Sequence, residues 1–255
     1  MKLFFRTIGE GKPVIILHGL FGLNDNWQTF AKAVADKGFK AILVDLRNHG
    51  QSPHSSEFNY EVMSGDVIEL IQSENIINSI LLGHSLGGKV AMKVALQNPD
   101  FISKLIVVDI APKYYPVHHD DVLKALHAVN LNETKTRADA EKILSNYLHD
   151  TGTRQFLLKN LYWVGEKLAW RFNLDSISNN IENVGEEITY PTPLTKPTLF
   201  IRGQKSRYVS DNDFSSIQQL FPQAKLETIN NAGHWVHADN LMDMMAVCTK
   251  FMEEK

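Results

Sequence analysis

Residues 79–88 read Ser-Ile-Leu-Leu-Gly-His-Ser-Leu-Gly-Gly, an apolar run that stops at Gly83-His84-Ser85-Leu86-Gly87 and passes straight into a helical pattern. Few arrangements restrict a chain more. A turn from buried strand to helix about a single residue forces that residue into a strained bend. Side chains at 83 and 87 would strike the adjoining strand and helix, so both positions require glycine. The bend lifts the Ser85 hydroxyl above the end of the sheet. The helix that follows aims its N-terminal N–H groups and positive dipole end at the same spot, which favours negative charge developing there. Ser85 is therefore a candidate nucleophile. The bland alternative is a packing motif of small residues at a tight turn.

A bend of this kind needs a sheet around it, and the rest of the chain supplies one. Short Ile-, Val- and Leu-rich runs at Pro13–Leu17, Lys40–Val44, Ser79–Gly83, Lys104–Asp109, Thr198–Arg202 and Lys225–Ile229 lack alternation, as expected of parallel strands covered on both faces. Between them Trp27–Lys37, Tyr60–Gln72, Leu86–Gln97, Asp211–Leu220 and Leu241–Met252 have helical periodicity. Strand and helix in turn predict an α/β fold with a mostly parallel central sheet flanked by helices. The alternation breaks between Pro112 and Pro193. That stretch carries helical patterns at Val122–Val129, Arg137–Leu148, Arg154–Leu161 and Asp175–Val184 and no convincing strand. The expected organisation is a core of residues 1–111 and 193–255 with a helical cap, residues 112–192, inserted over the ends of the strands.

Composition narrows the partners. The chain has 255 residues and a net charge of −3 without a basic cluster, which argues against nucleic acid. A chain of this length can bury a core without metal or disulfide staples. Its one cysteine, Cys248, lies in a helical pattern and reads as a small core residue. The first apolar stretch ends at Arg6, too short for a signal-peptide core, and no run of about 18 apolar residues exists to span a membrane. The expected partner is a small molecule and the expected location the cytoplasm. Oligomeric state is not legible.

The run Val14–Leu17 leads into His18-Gly19-Leu20-Phe21-Gly22. Glycines there let the backbone curl so that N–H groups point at Ser85, a cradle for a tetrahedral oxyanion. The expected donors are the N–H groups of Leu20 and Leu86, with Phe21 as the alternative to Leu20. After the last strand, Asn230-Asn231-Ala232-Gly233-His234-Trp235 carries a histidine on a small loop, suited to a general base that takes the serine proton and returns it to a leaving group. His237, three residues on, is the competitor. No His-Glu-x-x-His frame or glycine-rich dinucleotide fingerprint is present, so neither a metal nor a cofactor is expected.

The acid is less obvious. The loop after Thr198–Arg202, where a carboxylate usually follows, reads Gly203-Gln204-Lys205-Ser206. Ser206 cannot stabilise an imidazolium. Asp109, at the end of Leu105-Ile106-Val107-Val108, is the preferred acid: it ends a buried strand and lies between Ser85 and His234 in chain order. Asp211 is the alternative. Asp45-Leu46-Arg47-Asn48-His49-Gly50-Gln51-Ser52 also follows a strand but precedes the serine. It reads as a structural loop in which Asp45 and Arg47 bond backbone or each other and Gly50 allows the turn.

These segments, with Gln155-Phe156-Leu157-Leu158-Lys159, Trp170-Arg171-Phe172-Asn173 and Gly233-His234-Trp235-Val236-His237-Ala238, make the chain resemble the α/β-hydrolase superfamily, and within it the YbfF-like esterase branch. The Arg-Asn-His-Gly loop is informative, because most of the superfamily carries Arg-Gly-x-Gly there. The resemblance implies a cytoplasmic serine esterase acting on short acyl esters, with acyl-CoA thioesters as a further substrate class. It also implies that the acid follows the Val-Asp strand, in favour of Asp109. Phe21, Phe156, Leu157, Leu161, Trp163 and Trp235 are the expected pocket walls. Two other classes stay open on the same scaffold: a carbon–carbon bond hydrolase, and a ligand-binding homologue without turnover.

Overall fold

The computed structural model describes residues 1–117 and 119–254. In chain order the first half runs β1 (Phe5–Ile8), β2 (Lys12–Leu17), α1 (Gln28–Ala35), β3 (Phe39–Val44), α2 (Tyr60–Ser73), β4 (Ser79–His84), α3 (Leu86–Gln97) and β5 (Ile102–Val108). Residues between β5 and β8 form α4 (Asp120–Ala128), α5 (Arg137–Leu144), α6 (Thr151–Leu158), a hairpin of β6 (Leu161–Val164) and β7 (Lys167–Trp170), α7 (Leu174–Asn179) and α8 (Ile181–Gly185). The chain closes with β8 (Thr198–Gly203), α9 (Phe214–Leu220), β9 (Ala224–Ile229), α10 (Val236–Asp239) and α11 (Leu241–Glu253).

Seven strands form one sheet in the order β1-β3-β2-β4-β5-β8-β9. All neighbours are parallel except β1, which pairs antiparallel with β3. From β2 the chain goes to β3 on one side and then to β4 on the other, so the strand order reverses between β2 and β4. Crevices at such reversals are where open α/β sheets bind ligands. Leu17 pairs with Gly83 there, which sets the loop after β2 beside the bend after β4.

Both faces of the sheet are covered, which explains the unbroken apolar runs. Val14, Ile16, Ile80, Leu82, Ile106 and Val108 pack with Phe30, Val34, Met244 and Cys248 of α1 and α11. Their neighbours Ile15, Leu17, Leu81, Leu105 and Val107 pack on the opposite face with Met63, Val67, Val90 and Val94 of α2 and α3. Cys248 is fully buried. Burial of this kind contributes about 25 cal/mol for each Å² of apolar surface removed from water.

Three local expectations differ from the structure. β1 is an additional edge strand: Arg6 and Thr7 are exposed and Phe5 and Ile8 half-buried, and its register opposite Val44–Ala41 holds it rather than an apolar run. The stretch read as strand-free contains the hairpin β6–β7, turned at Gly165 with φ 60°. The run read as one helix over 175–184 is two helices broken at Asn180, whose side chain donates to the Ser56 and Ser176 carbonyl oxygens. No described helix is long and apolar enough to cross a membrane.

Candidate active site

Ser85 sits between β4 and α3 with φ 52° and ψ −119°. Such positive φ costs an L-residue on the order of 1–3 kcal/mol and persists only where the surroundings enforce it. The surroundings are close indeed: a Cβ on Gly83 would lie 2.1 Å from the Gly87 carbonyl oxygen, and one on Gly87 2.4 Å from that of His18. The Ser85 N–H donates to the Val108 carbonyl oxygen at 3.0 Å, which fastens the bend to β5.

Asp109, one residue past β5, also has a positive φ, 53°, and is fully buried. Its Oδ1 accepts the Gly203 N–H at 3.1 Å, and its Oδ2 accepts the Ser206 hydroxyl at 2.5 Å. His234, on the loop after β9, completes a line. Nδ1 lies 2.8 Å from Asp109 Oδ2, and Nε2 lies 3.1 Å from Ser85 Oγ. With Nδ1–H donated to the carboxylate, Nε2 is left to accept the serine proton. Asp211 is elsewhere: its side chain is 86% exposed and pairs with Arg202 at 2.6 Å. Ser206, in the loop after β8, instead donates to the carboxylate of Asp109 beyond the neighbouring strand.

Two contacts to His234 carry no advance signal in the sequence. The Tyr208 ring stacks on the imidazole at 4.1 Å and 20°, and burial pushes the Tyr208 phenol up to about 12. His84, beside the serine, donates Nε2–H to the His234 carbonyl oxygen at 2.8 Å.

The loop after β2 is held by two buried histidines. His18 donates Nδ1–H to the Gly19 carbonyl oxygen at 2.8 Å and accepts the Leu46 N–H at Nε2, 3.1 Å. His49 donates Nδ1–H to the Arg47 carbonyl oxygen at 2.9 Å and accepts the Phe21 N–H at 3.1 Å. Burial lowers the first to about 4; burial and the neighbouring His18 lower the second to about 3. Because His49 occupies the Phe21 N–H, Leu20 is the group that remains on this loop. No hydrogen bond among the described residues takes the Leu20 N–H. Leu86 begins α3, where N–H groups have no intrahelical partner.

The Asp-Leu-Arg-Asn-His-Gly loop thus has a second task besides its own turn. Asp45 accepts the N–H groups of Asn24 and Gln51, and Gly50 turns at φ 59°. Arg47 does not meet Asp45; it pairs with Asp66 of α2 at 2.6 and 2.9 Å.

An apolar cavity of about 250 Å³ opens onto Ser85 and His234. Phe21, Phe156, Leu157 and Trp235 line it, and the Phe156 and Trp235 rings meet at 5.2 Å. Trp27 and His237 add to it, stacked at 4.0 Å. Leu161 and Trp163 lie outside it: Leu161 is buried at the start of the hairpin, and Trp163 is 57% exposed on it.

The chain matches the family model described as alpha/beta hydrolase fold over residues 12–241. It is 41% identical over 249 residues to the sn-1-specific diacylglycerol lipase ABHD11 of Mus musculus, covering 94% of this chain and 80% of the relative. Against esterase YbfF of Escherichia coli strain K12 the identity is 35% over 246 residues, covering 96% and 94%. A solved structure, a marine microorganism esterase, superposes with a TM-score of 0.96 at 42% identity, covering 98% of this chain and 99% of the other.

Proposed function

The chain belongs to the α/β-hydrolase family and is a carboxylic ester hydrolase, and from that premise we propose that it works through a Ser85–His234–Asp109 triad and an acyl-enzyme. Ser85 Oγ attacks the ester carbonyl while His234 Nε2 takes its proton. The carbonyl oxygen becomes an oxyanion between the N–H groups of Leu20 and Leu86. The C–O bond to the alcohol then breaks, and the proton on Nε2 passes to the departing oxygen. Water repeats the sequence on the acyl-enzyme, releasing the acid and restoring Ser85. Asp109 keeps the imidazole in the required tautomer and stabilises its positive form.

The observation that carries the reading is the unbroken line from Asp109 Oδ2 through His234 to Ser85 Oγ, at 2.8 and 3.1 Å. Each oxyanion donor is worth about 3 kcal/mol in systems of this type. Residues 1–111 and 193–255 act as the catalytic core. Residues 112–192 act as a cap that brings Phe156 and Leu157 over the serine and excludes water from it. The substrates are neutral carboxylic esters with an apolar alcohol or acyl portion, and the same attack serves acyl thioesters. The test is turnover of p-nitrophenyl esters and acyl-CoA thioesters by the purified protein and by its Ser85→Ala variant. A loss in kcat of about 10⁴ or more is expected in the variant. Retained turnover there would dismiss the triad.

A further inference from the structure

Asp109 and Ser85 account for the edge of the His234 imidazole, at Nδ1 and Nε2. They do not account for its face. There the Tyr208 ring lies nearly parallel, with 4.1 Å between centroids and 20° between planes. The other rings near His234 are oblique: His84 is tilted by 44° at 4.7 Å and Trp235 by 54° at 6.3 Å.

Tyr208 is held in this place from both sides of its backbone. Its N–H donates to Ser206 Oγ at 3.2 Å, and the same Ser206 hydroxyl donates to Asp109. Its carbonyl oxygen accepts the Tyr115 hydroxyl at 2.6 Å, and that hydroxyl accepts the N–H of Ala111, two residues past Asp109, at 2.9 Å. Two hydroxyls therefore tie Tyr208 to the segment that carries Asp109. The Tyr115 ring packs beside the Tyr208 ring at 5.6 Å. The ring on the face of the imidazole and the carboxylate at its edge are thus set by one hydrogen-bonded frame.

Resting on the triad proposed above, we infer that Tyr208 is a positioning residue for His234, whose ring keeps the imidazole aligned between Asp109 and Ser85 and stabilises the imidazolium formed when Nε2 takes a proton. The face of an aromatic ring is its electron-rich side and attracts a cation laid against it. A neutral imidazole feels far less of this attraction. The contact is therefore strongest when the proton is on His234, which lowers the barrier without tightening substrate binding. Burial pushes the Tyr208 phenol up to about 12, so the ring carries no charge of its own at working pH. The other titratable groups against His234 are Asp109, His84 and His237. Burial, with His234 close by, holds His84 well below the ordinary histidine range and His237 at about 3, so both are neutral and Asp109 supplies the opposite charge.

The experiment compares Tyr208→Leu, which keeps bulk and removes the ring, with Tyr208→Phe, which keeps the ring. Hydrolysis of p-nitrophenyl butyrate is followed from pH 5 to 9, with Ser85→Ala as control and thermal melting of every variant. Tyr208→Leu should lower kcat by about 3- to 30-fold with KM changed by less than about threefold, and should move the acid limb of kcat/KM down by about half a unit to one unit. Tyr208→Phe should restore both. Tyr115→Phe should give a smaller fall in kcat, and on the Tyr208→Leu background should add less than about twofold, because the two residues act through one contact. If Tyr208→Leu does not fold, Tyr208→Met takes its place. A rise in KM with kcat and the pH limb kept makes Tyr208 a cavity wall and overturns the assignment. So does a fall in Tyr208→Phe as large as in Tyr208→Leu, which places the effect in the phenol group. If Ser85→Ala is inactive while Tyr208→Leu matches wild type, this assignment alone falls. If Ser85→Ala remains active, the triad falls with it.

Discussion

The imidazole of His84 holds the peptide of His234: Nε2 of the first lies 2.8 Å from the carbonyl oxygen of the second. The residue before Ser85 therefore anchors the loop that carries His234, across a sequence separation of 150 residues. Burial, with His234 and His237 close by, keeps His84 far below its ordinary histidine range and so neutral. One tautomer serves, with the proton on Nε2.

His84→Ala removes that anchor. A misplacement of about 1 Å at a reacting group costs on the order of 100-fold, so kcat should fall by about 10- to 100-fold with KM changed by less than about threefold. His84→Gln, which can present an N–H at nearly the same reach, should recover part of the loss. An equal fall in both variants, tracking a fall in melting temperature, would show that His84 only packs.

Asp109 and Asp211 can be separated in one experiment. Asp109 is buried and bonded to His234, and Asp211 is exposed and paired with Arg202. Asp109→Asn should lower kcat by about 10⁴, because the amide favours the wrong imidazole tautomer. Asp211→Asn should stay within about twofold of wild type, since exposed pairs contribute about 0–1 kcal/mol. A larger loss in the second variant reverses the assignment.

Stability should fall as the medium is acidified from neutral. Burial lowers His18 to about 4, and His49 and His237 to about 3, from an ordinary value of 6.5. Below pH 6.5 the unfolded chain binds protons that the folded one refuses. The stability these groups contribute is thus complete above about 6.5 and is lost as pH falls towards 4 and 3. Each contributes a slope of about 1.4 kcal/mol per pH unit in that window. Urea unfolding at pH 7.5, 6 and 5 should give descending midpoints, and His237→Phe should flatten the descent by about one proton's worth. His237 is the clean choice because its Nδ1 has no hydrogen-bond partner among the described residues. An unchanged slope in that variant would mean that His237 is not held neutral.

The parts of this site that the sequence made legible are those in which a backbone constraint dictates residue type. Gly83, Ser85 and Gly87 could be read because only glycine fits beside β2 and α3. Asp109 could be read because a carboxylate closing an apolar strand has no place in the core. Tyr208, His84 and Ser206 were opaque for the opposite reason. Their contributions are contacts between loops from β4, β5, β8 and β9, and no local pattern records which loops meet. The hairpin β6–β7 escaped because burial along Leu161–Val164 falls from buried to exposed without alternation, so its periodicity matches neither a buried strand nor a helix. Trp163 has the chemistry of a pocket wall, but on the hairpin it is 57% exposed and does not line the cavity at Ser85.

Ser85 and Asp109 both have a positive φ, 52° and 53°, each one residue beyond its strand, with His84 opposite Val108 in the ladder between them. The spacing between Asp109 and Ser85 is consequently inherited from the lattice of a parallel sheet, about 4.8 Å between strands, rather than from any flexible side chain. Surface helices and the hairpin can drift in sequence without detuning the reaction. A change that makes β5 slide by one residue along β4 cannot, because it turns the carboxylate to the far side of the sheet.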